Sequence, residues 1–432
     1  MKIYTINDIN NYTLDAALFL KNKTQDNSKI IKTTQQIISD IKINGDDSLI
    51  KLCNQFDKTN FKQAHELLVS DEEIKNSANY LEQPLKDALE QSYQRIFSYH
   101  QKQLPKDLNY TDEIGITLGN KWQAIESIGI YAPGGSASYP SSVLMSAIPA
   151  IVAGSKELSL FTPATNNKIN PAILYSANLC NIKKIYKIGG AQAVAAMAYG
   201  TKTIKKVDKI CGPGNSYVAM AKKLLFGDVG IDMIAGPTDL TIIANSKNAK
   251  ASWVAADALS QLEHGIDSKV FIITDNYNFA QEILQKLNDL TPNLDRQSII
   301  NSSIQNSAIF VIKDINQASI ISNFIAPEHL QIISCDEEKL LKNINNAGAI
   351  FLGNYSPEAV GDYIAGPSHT LPTEGTSRFA SGLSVFDFLK RISIIKCNQE
   401  GFNKLSNSAQ LMAENEGLNA HKLSLEIRNN KN

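Results

Sequence analysis

Adjacent Glu328 and His329, in the segment IAPEHLQI, bring a carboxylate and an imidazole to one point of the chain just after Pro327. An imidazole near neutral pKa can take a hydroxyl proton, and a carboxylate can activate water, so the pair suits general acid–base chemistry. An exposed Glu-His loop fits the same residues. Three further segments gather nitrogen and oxygen donors. DALSQLEHG sets Gln261 and His264 three apart on one face of an expected helix. GDYIAGPSHTLPT carries Asp362 and His369, and ENEGLNAHK carries Glu416 and His421. From these segments two imidazoles, a carboxylate and an amide can be drawn together. That donor set suits zinc in an open, exchangeable site rather than a closed Cys-rich one. The segments lie far apart in the chain, so spacing alone does not bring them together, and each histidine also fits a surface or core role.

Glycine turns form a second group of candidates. Gly134-Gly135, Gly189-Gly190 and Gly212-Pro213-Gly214 each follow a strand pattern and precede a helical one. Such a turn can aim backbone N–H groups and the positive end of a helix at a phosphate. Glycine also serves any tight strand-to-helix turn, and the GxGxxG fingerprint is missing. Three such turns at the carboxyl ends of parallel strands nevertheless stand where open α/β sheets bind ligands.

The elements that must position these groups follow from periodicity. Residues 1 to about 120 are polar and look helical, with Ile37, Ile41, Leu49, Leu52 and Phe56 at near-helical spacing. From Ser127 short β-branched runs alternate with helical stretches: SIGIYAP, ELSLFTP, KKIYKIGG and KKVDKICGPG. A second series runs through DLTIIAN, KVFIITD, SAIFVIK and AGAIFLG. Strands alternating with helices of this length indicate parallel sheets with helices on both faces. The expected fold is α/β, two tandem incomplete Rossmann-like domains with parallel sheets and a boundary near Gly236-Pro237, plus helical N-terminal and C-terminal segments. The tail after about Phe388 is expected to be helical.

Composition narrows the function classes. A chain of 432 residues exceeds one hydrophobic core, and 43% hydrophobic residues can build several. Lys+Arg of 42 against Asp+Glu of 43 leaves a formal charge of −1, which argues against nucleic acid or an anionic membrane as partner. The start MKIYTINDINNY has no signal pattern, and the apolar stretch from Val143 to Gly154 is too short to span a bilayer. A cytoplasmic protein acting on a small molecule is the expectation. Five scattered cysteines, Cys53, Cys180, Cys211, Cys335 and Cys397, fit a reducing compartment and offer no thiolate zinc site.

Read together, eight ordered blocks resemble the histidinol dehydrogenase family: YAPGGSASYPSS, GGAQAVAAMAYGT, CGPGN, IDMIAGPTD, QLEHG, APEHL, GDYIAGPSHTLPT and EGLNAHK. The resemblance runs from about residue 30 to the end. It implies a zinc-dependent, NAD-linked oxidation of L-histidinol through L-histidinal to L-histidine, the last steps of histidine biosynthesis. By similarity, one zinc per subunit is held by Gln261, His264, Asp362 and His421, with Glu328 and His329 as acid–base residues. Tyr131, Gln192 and Asn215 match NAD contacts. Thr238 and Glu416 fall at substrate-contacting positions, with Gln261, His264, His329, Asp362 and His421. The family is homodimeric, and its C-terminal tail reaches the partner's active site.

The resemblance also implies a layout. Residues 1–30 form an N-terminal extension, and 31–126 form a helical part joining a 238–385 α/β domain. Residues 127–237 form the first α/β domain, and 386–432 form a helical tail directed at the dimer partner. Departures from the family pattern are mild: Thr238 replaces a usual Ser, Asp239 a common Glu, and Leu262 a common Ala. Two other readings remain. One is a thiol-dependent aldehyde dehydrogenase using Cys211 beside a glycine turn. The other is an inactive zinc-binding relative.

Overall fold

A computed structural model describes residues 1–6, 28–134 and 138–429. Gly135 and most of the expected N-terminal extension therefore lie outside the described residues. In chain order the strands are β1 (Lys2–Thr5), β2 (Leu108–Thr111), β3 (Ile116–Ala124), β4 (Ser127–Tyr131) and β5 (Glu157–Thr162). They continue with β6 (Lys184–Lys187), β7 (Lys209–Cys211), β8 (Gly230–Ile231), β9 (Asp239–Ala244) and β10 (Lys269–Thr274). The last four are β11 (Ala308–Val311), β12 (His329–Ile333), β13 (Ala349–Leu352) and β14 (Leu389–Cys397).

Two parallel sheets result. The first has the order β6-β5-β4-β7-β8 and the second β1-β11-β10-β9-β12-β13. Apart from β1 on the edge, each starts in the middle, grows outward on one side and then on the other. The switch points lie between β4 and β7 and between β9 and β12. That order is the Rossmann-like one anticipated from the alternating pattern. The central strands explain the hydrophobic runs: every residue of β4 (SIGIY), β9 (DLTIIA) and β12 (HLQII) is buried. Parallel strands covered by helices on both faces need such runs. Each fully buried Leu, Ile or Val in these layers contributes about 1.5–3 kcal/mol. An exposed ion pair such as Lys205–Glu157 contributes about 0–1 kcal/mol, so the layers dominate.

The structure departs from the expected layout in three places. The helices Ser28–Asn44 and Asp46–Phe56 pack against Gly190–Tyr199 and Ser216–Leu225 of the first α/β unit, not against the second. The helix Gln83–Gln101 packs on Pro140–Ala153 and reaches the second unit from its middle, where Ser92 and Arg95 bond the carbonyls of Tyr363, Ile364 and Ala365. The 31–126 segment is also not wholly helical, since it contains β2 and β3. Finally, the tail opens on a strand. β14 pairs antiparallel with β3 along nine residues, from Leu389 opposite Ala124 to Cys397 opposite Ile116, before the helices Gln399–Asn415 and Asn419–Asn429. Among the described residues no helix is long and apolar enough to cross a membrane.

Candidate active site

The acid–base pair stands at the head of β12. The helix Ala318–Ile325 ends on Ala326, whose φ of 54° is unusual for a residue with a side chain. A conformation of that kind costs about 1–3 kcal/mol and here redirects the chain through Pro327 into the sheet. Glu328 and His329 are consequently buried, 6% and 4% exposed, rather than set in an exposed loop. Across the switch point the Asp239 N–H donates to the Glu328 carboxylate and the Glu328 N–H to the Asp239 carboxylate, each at 3.3 Å. Both strands begin here, so this cluster sits at the amino ends of the second sheet, opposite to where such sheets usually bind ligands.

The other donors arrive from neighbouring elements. Gln261 is the penultimate residue of the helix Ala251–Leu262, fully buried, and its Nε2 donates to Thr238 Oγ1 at 2.8 Å. His264 lies just past the helix end, with its N–H still donating to the Gln261 carbonyl at 3.3 Å. Asp362 comes from the short helix Glu358–Tyr363, which Ser92 and Arg95 grip at its carboxyl end. Asp362 lies 3.9 Å from His264 Nε2 through one oxygen and 3.9 Å from His329 Nε2 through the other. His369 supports this ligand set rather than joining it. Its Nδ1–H donates to the Asp362 carbonyl at 2.9 Å, which leaves Nε2 to accept from Ser142 at 3.1 Å.

Glu358 is a further candidate that no motif marks. Glu358 is 2% exposed, neither of its carboxylate oxygens has a hydrogen-bond partner among the described residues, and Oε1 lies 3.4 Å from His329 Nδ1. With His264 and Asp362 it forms a group whose potential ligand atoms lie within 4.8 Å of one another. The signal available was spacing: Glu358 and Asp362 are four apart and share one helical face.

Burial sets the proton affinities. It drives His329 down to about 3, so the ring is neutral at physiological pH. Its Nδ1 faces the Asp239 carbonyl at 3.3 Å, which places the proton there and leaves the Nε2 lone pair without a partner among the described residues. Burial also raises Glu328 and Glu358 well above the usual carboxylate range, and the Asp239 charge adds to the effect on Glu328. A carboxylate with raised proton affinity is a better base at neutral pH.

The donors fit a divalent metal of the zinc type. Gln261 Oε1 is buried and unpartnered among the described residues, and His264, Glu358 and Asp362 bring an imidazole and two carboxylates together, all nitrogen or oxygen donors. His264 is 37% exposed, which leaves one side of the group open. The remaining pair is elsewhere in the single chain. Glu416 and His421 are exposed on the terminal helices, and His421 is not in the His264–Glu358–Asp362 group.

The nucleotide candidates gather at the carboxyl ends of the first sheet. Tyr131, the last residue of β4, accepts the Gly190 N–H at 3.0 Å through its hydroxyl. Gln192 is 1% exposed and its Nε2 has no partner among the described residues. Asn215 caps the helix Ser216–Leu225, accepting from the N–H groups of Tyr217 and Val218, so its side-chain amide nitrogen is the part left for a ligand. Between them Gly212 has φ 112°, and a Cβ there would lie 2.0 Å from the Tyr131 carbonyl oxygen, so only glycine fits. The buried Lys222–Asp232 ion pair holds this turn, Lys222 donating to the Gly212 carbonyl and Asp232 accepting its N–H. Cys211 is fully buried and its thiol is pushed up by that burial, which removes the support for a thiolate mechanism.

Comparison with known proteins is consistent along the whole length. The family model described as histidinol dehydrogenase matches residues 20–429. A histidinol dehydrogenase of Acinetobacter baylyi is 45% identical over 407 residues, covering 94% of each chain. One of Rhodospirillum rubrum is 43% identical over 417 residues, covering 96% of each. The crystal structure of histidinol dehydrogenase from Elizabethkingia anophelis superposes with a TM-score of 0.92 at 38% identity, over 99% of this chain and 98% of the other.

Proposed function

The chain belongs to the histidinol dehydrogenase family, a family of oxidoreductases, and from that premise we propose that it oxidises L-histidinol through L-histidinal to L-histidine with two NAD consumed. The observation that carries the proposal is the neutral, buried His329 whose free Nε2 points toward the carboxylate of Asp362, with Glu328 beside it. In this reading Gln261, His264 and Asp362, joined by His421 of the partner subunit, hold one zinc ion per subunit. When bound, the metal supplies a template that orients the substrate's nitrogen donors. Tyr131, Gln192 and Asn215 would hold NAD, which would supply the hydride acceptor when bound.

The chain's own residues then move the protons. His329 Nε2 takes the hydroxyl proton of L-histidinol as hydride leaves the carbinol carbon, giving the aldehyde. Glu328 takes a proton from water as its oxygen adds to the aldehyde carbon, and His329 gives its proton to the carbonyl oxygen, so the hydrate forms and the ring is neutral again. His329 takes a hydroxyl proton again as the hydrate loses the second hydride, leaving the carboxylic acid. Thr238 links Gln261 to Glu328 by its hydroxyl, so the binding and water-activating groups move as one.

Glu358 is assigned to positioning His329. A carboxylate at Nδ1 fixes the ring and stabilises the charge that forms when Nε2 is protonated. Glu358→Gln is expected to lower kcat about 10–100-fold with KM nearly unchanged and zinc content intact. Metal analysis of the purified variant, run beside the kinetics, tests this. Loss of zinc from Glu358→Gln would make Glu358 a ligand and overturn the assignment.

The same reading makes the protein a homodimer with shared sites. Support comes from the tail: none of the residues of the helix Asn419–Asn429 is buried, and Ile395, Leu411, Met412, Leu423 and Ile427 are 55–72% exposed along it and the preceding elements. Apolar side chains exposed in this number on one terminal segment suit an interface. A second copy that covers it would carry Glu416 and His421 to the open side of the metal group. The two α/β domains are taken as 127–237 and 238–385. A cytoplasmic location, suited to five unpaired cysteines, belongs to the same proposal.

A further inference from the structure

In a Rossmann-like sheet the acid that receives the ribose hydroxyls of NAD stands at the carboxyl end of the second strand. Here that strand is β5, and the residues after it, Pro163-Ala164-Thr165-Asn166-Asn167, include no acid. A carboxylate nevertheless stands at that place, brought from outside the sheet. Asp57 follows the helix Asp46–Phe56, and its Oδ2 accepts the Gly189 N–H at 3.2 Å. A Cβ built on Gly189 would lie 2.7 Å from the Pro163 side chain and 3.1 and 3.2 Å from the two Asp57 oxygens. A Cβ on Gly134 would lie 2.9 Å from the same proline. Gly134, Pro163, Gly189 and Asp57 thus converge where β4, β5 and β6 end, on the same side as Tyr131.

We infer that Asp57 accepts hydrogen bonds from the adenosine-ribose hydroxyls of the dinucleotide and excludes a 2′-phosphate, making it the residue that selects NAD over NADP. The inference rests on the NAD reading above. Three facts support it. Asp57 has no ion-pair partner among the described residues, and burial lifts its carboxyl to about 6, so its negative charge is not already spent on a cation. Hydroxyl groups are the neutral donors such an acceptor needs. A phosphate at that point would set like charges against each other in a partly buried place. The packing of the Asp46–Phe56 helix on the first α/β unit, rather than on the second, is what delivers the residue there.

The test is direct binding, read from nicotinamide fluorescence as the full-length protein is titrated with NADH and, separately, NADPH. The wild type is expected to bind NADH at least about 100-fold more tightly than NADPH. Asp57→Asn keeps an acceptor for the Gly189 N–H but removes the charge, and the ratio should fall at least about tenfold, mostly through tighter NADPH binding. Asp57→Ser is the second variant should Asp57→Asn fail to fold, with thermal melting as the check on both. An unchanged ratio in a folded variant overturns the inference and leaves Asp57 as a tie for Gly189. Equal wild-type binding of the two nucleotides overturns it while leaving the NAD reading in place. Wild type that binds neither removes the NAD reading and the inference with it.

Discussion

His329→Asn is expected to lower turnover of both L-histidinol and L-histidinal by about 10²–10⁴-fold, the range that a positioned acid–base group contributes. Both halves should fall because the same Nε2 serves both: it takes the alcohol proton first and the hydrate proton later. The loss should be in kcat, since the ring is buried and neutral and adds little to ground-state binding. The residue is also easy to isolate in its effect. His329 is not among the proposed ligands, although its Nε2 lies 3.9 Å from Asp362 and Glu358 at its Nδ1 side stands in the same group as His264, so zinc content should hold and is measured beside the kinetics. Steady-state assays started from the alcohol and from the aldehyde separate the two halves. Undiminished turnover of either would take His329 out of that half.

The second large effect concerns the tail. His329→Asn and His421→Ala homodimers should each be nearly inactive for different reasons, one lacking the base and the other a metal ligand given in trans. Dissociating and reassociating an equal mixture gives half heterodimers, each with one intact site, so about one quarter of wild-type activity should return. The arithmetic depends on His421 acting on the neighbour's site. A tail that served its own chain would leave every heterodimer with one defect on each side, and mixing would restore nothing. The single-chain geometry favours the first outcome, because His421 is exposed and outside the group formed by His264, Glu358 and Asp362.

Much of the fold was legible in the sequence for a simple reason. Strands such as SIGIY and DLTIIA are buried on both faces, so they read as continuous apolar runs whatever packs on them. β14 offered no such run. Eight of its nine residues are exposed in the single chain, its charges interrupt the isoleucines, and its partner β3 lies some 270 positions away. Local pattern carries no record of a pairing at that distance, and the stretch was taken for helix. The helices between 28 and 101 are legible as helices, but the unit on which each packs is not, since an apolar helical stripe shows that a face is buried and not against what.

The site divides along the same line. Glu328-His329 and the Gln261/His264 spacing stood out because unusual residues lay close together. Glu358 and Asp57 did not, because an acidic residue in or beside a helix ordinarily reads as solvated. Only the tertiary packing, which leaves Glu358 2% exposed next to His329 and sets Asp57 against Gly189, makes them candidates. The glycine turns were ambiguous one by one, and the 2.0 Å approach of a would-be Gly212 Cβ to Tyr131 shows that at this one sterics demands glycine.

The most direct measurement is the number of NADH formed per L-histidinol consumed by the purified protein, before chelation, after chelation and after zinc is restored. Two NADH per L-histidinol, lost on chelation and recovered with zinc, is the expected result. One NADH with aldehyde released would contradict the second oxidation assigned to Glu328 and His329, and full activity in the metal-free protein would contradict the zinc site.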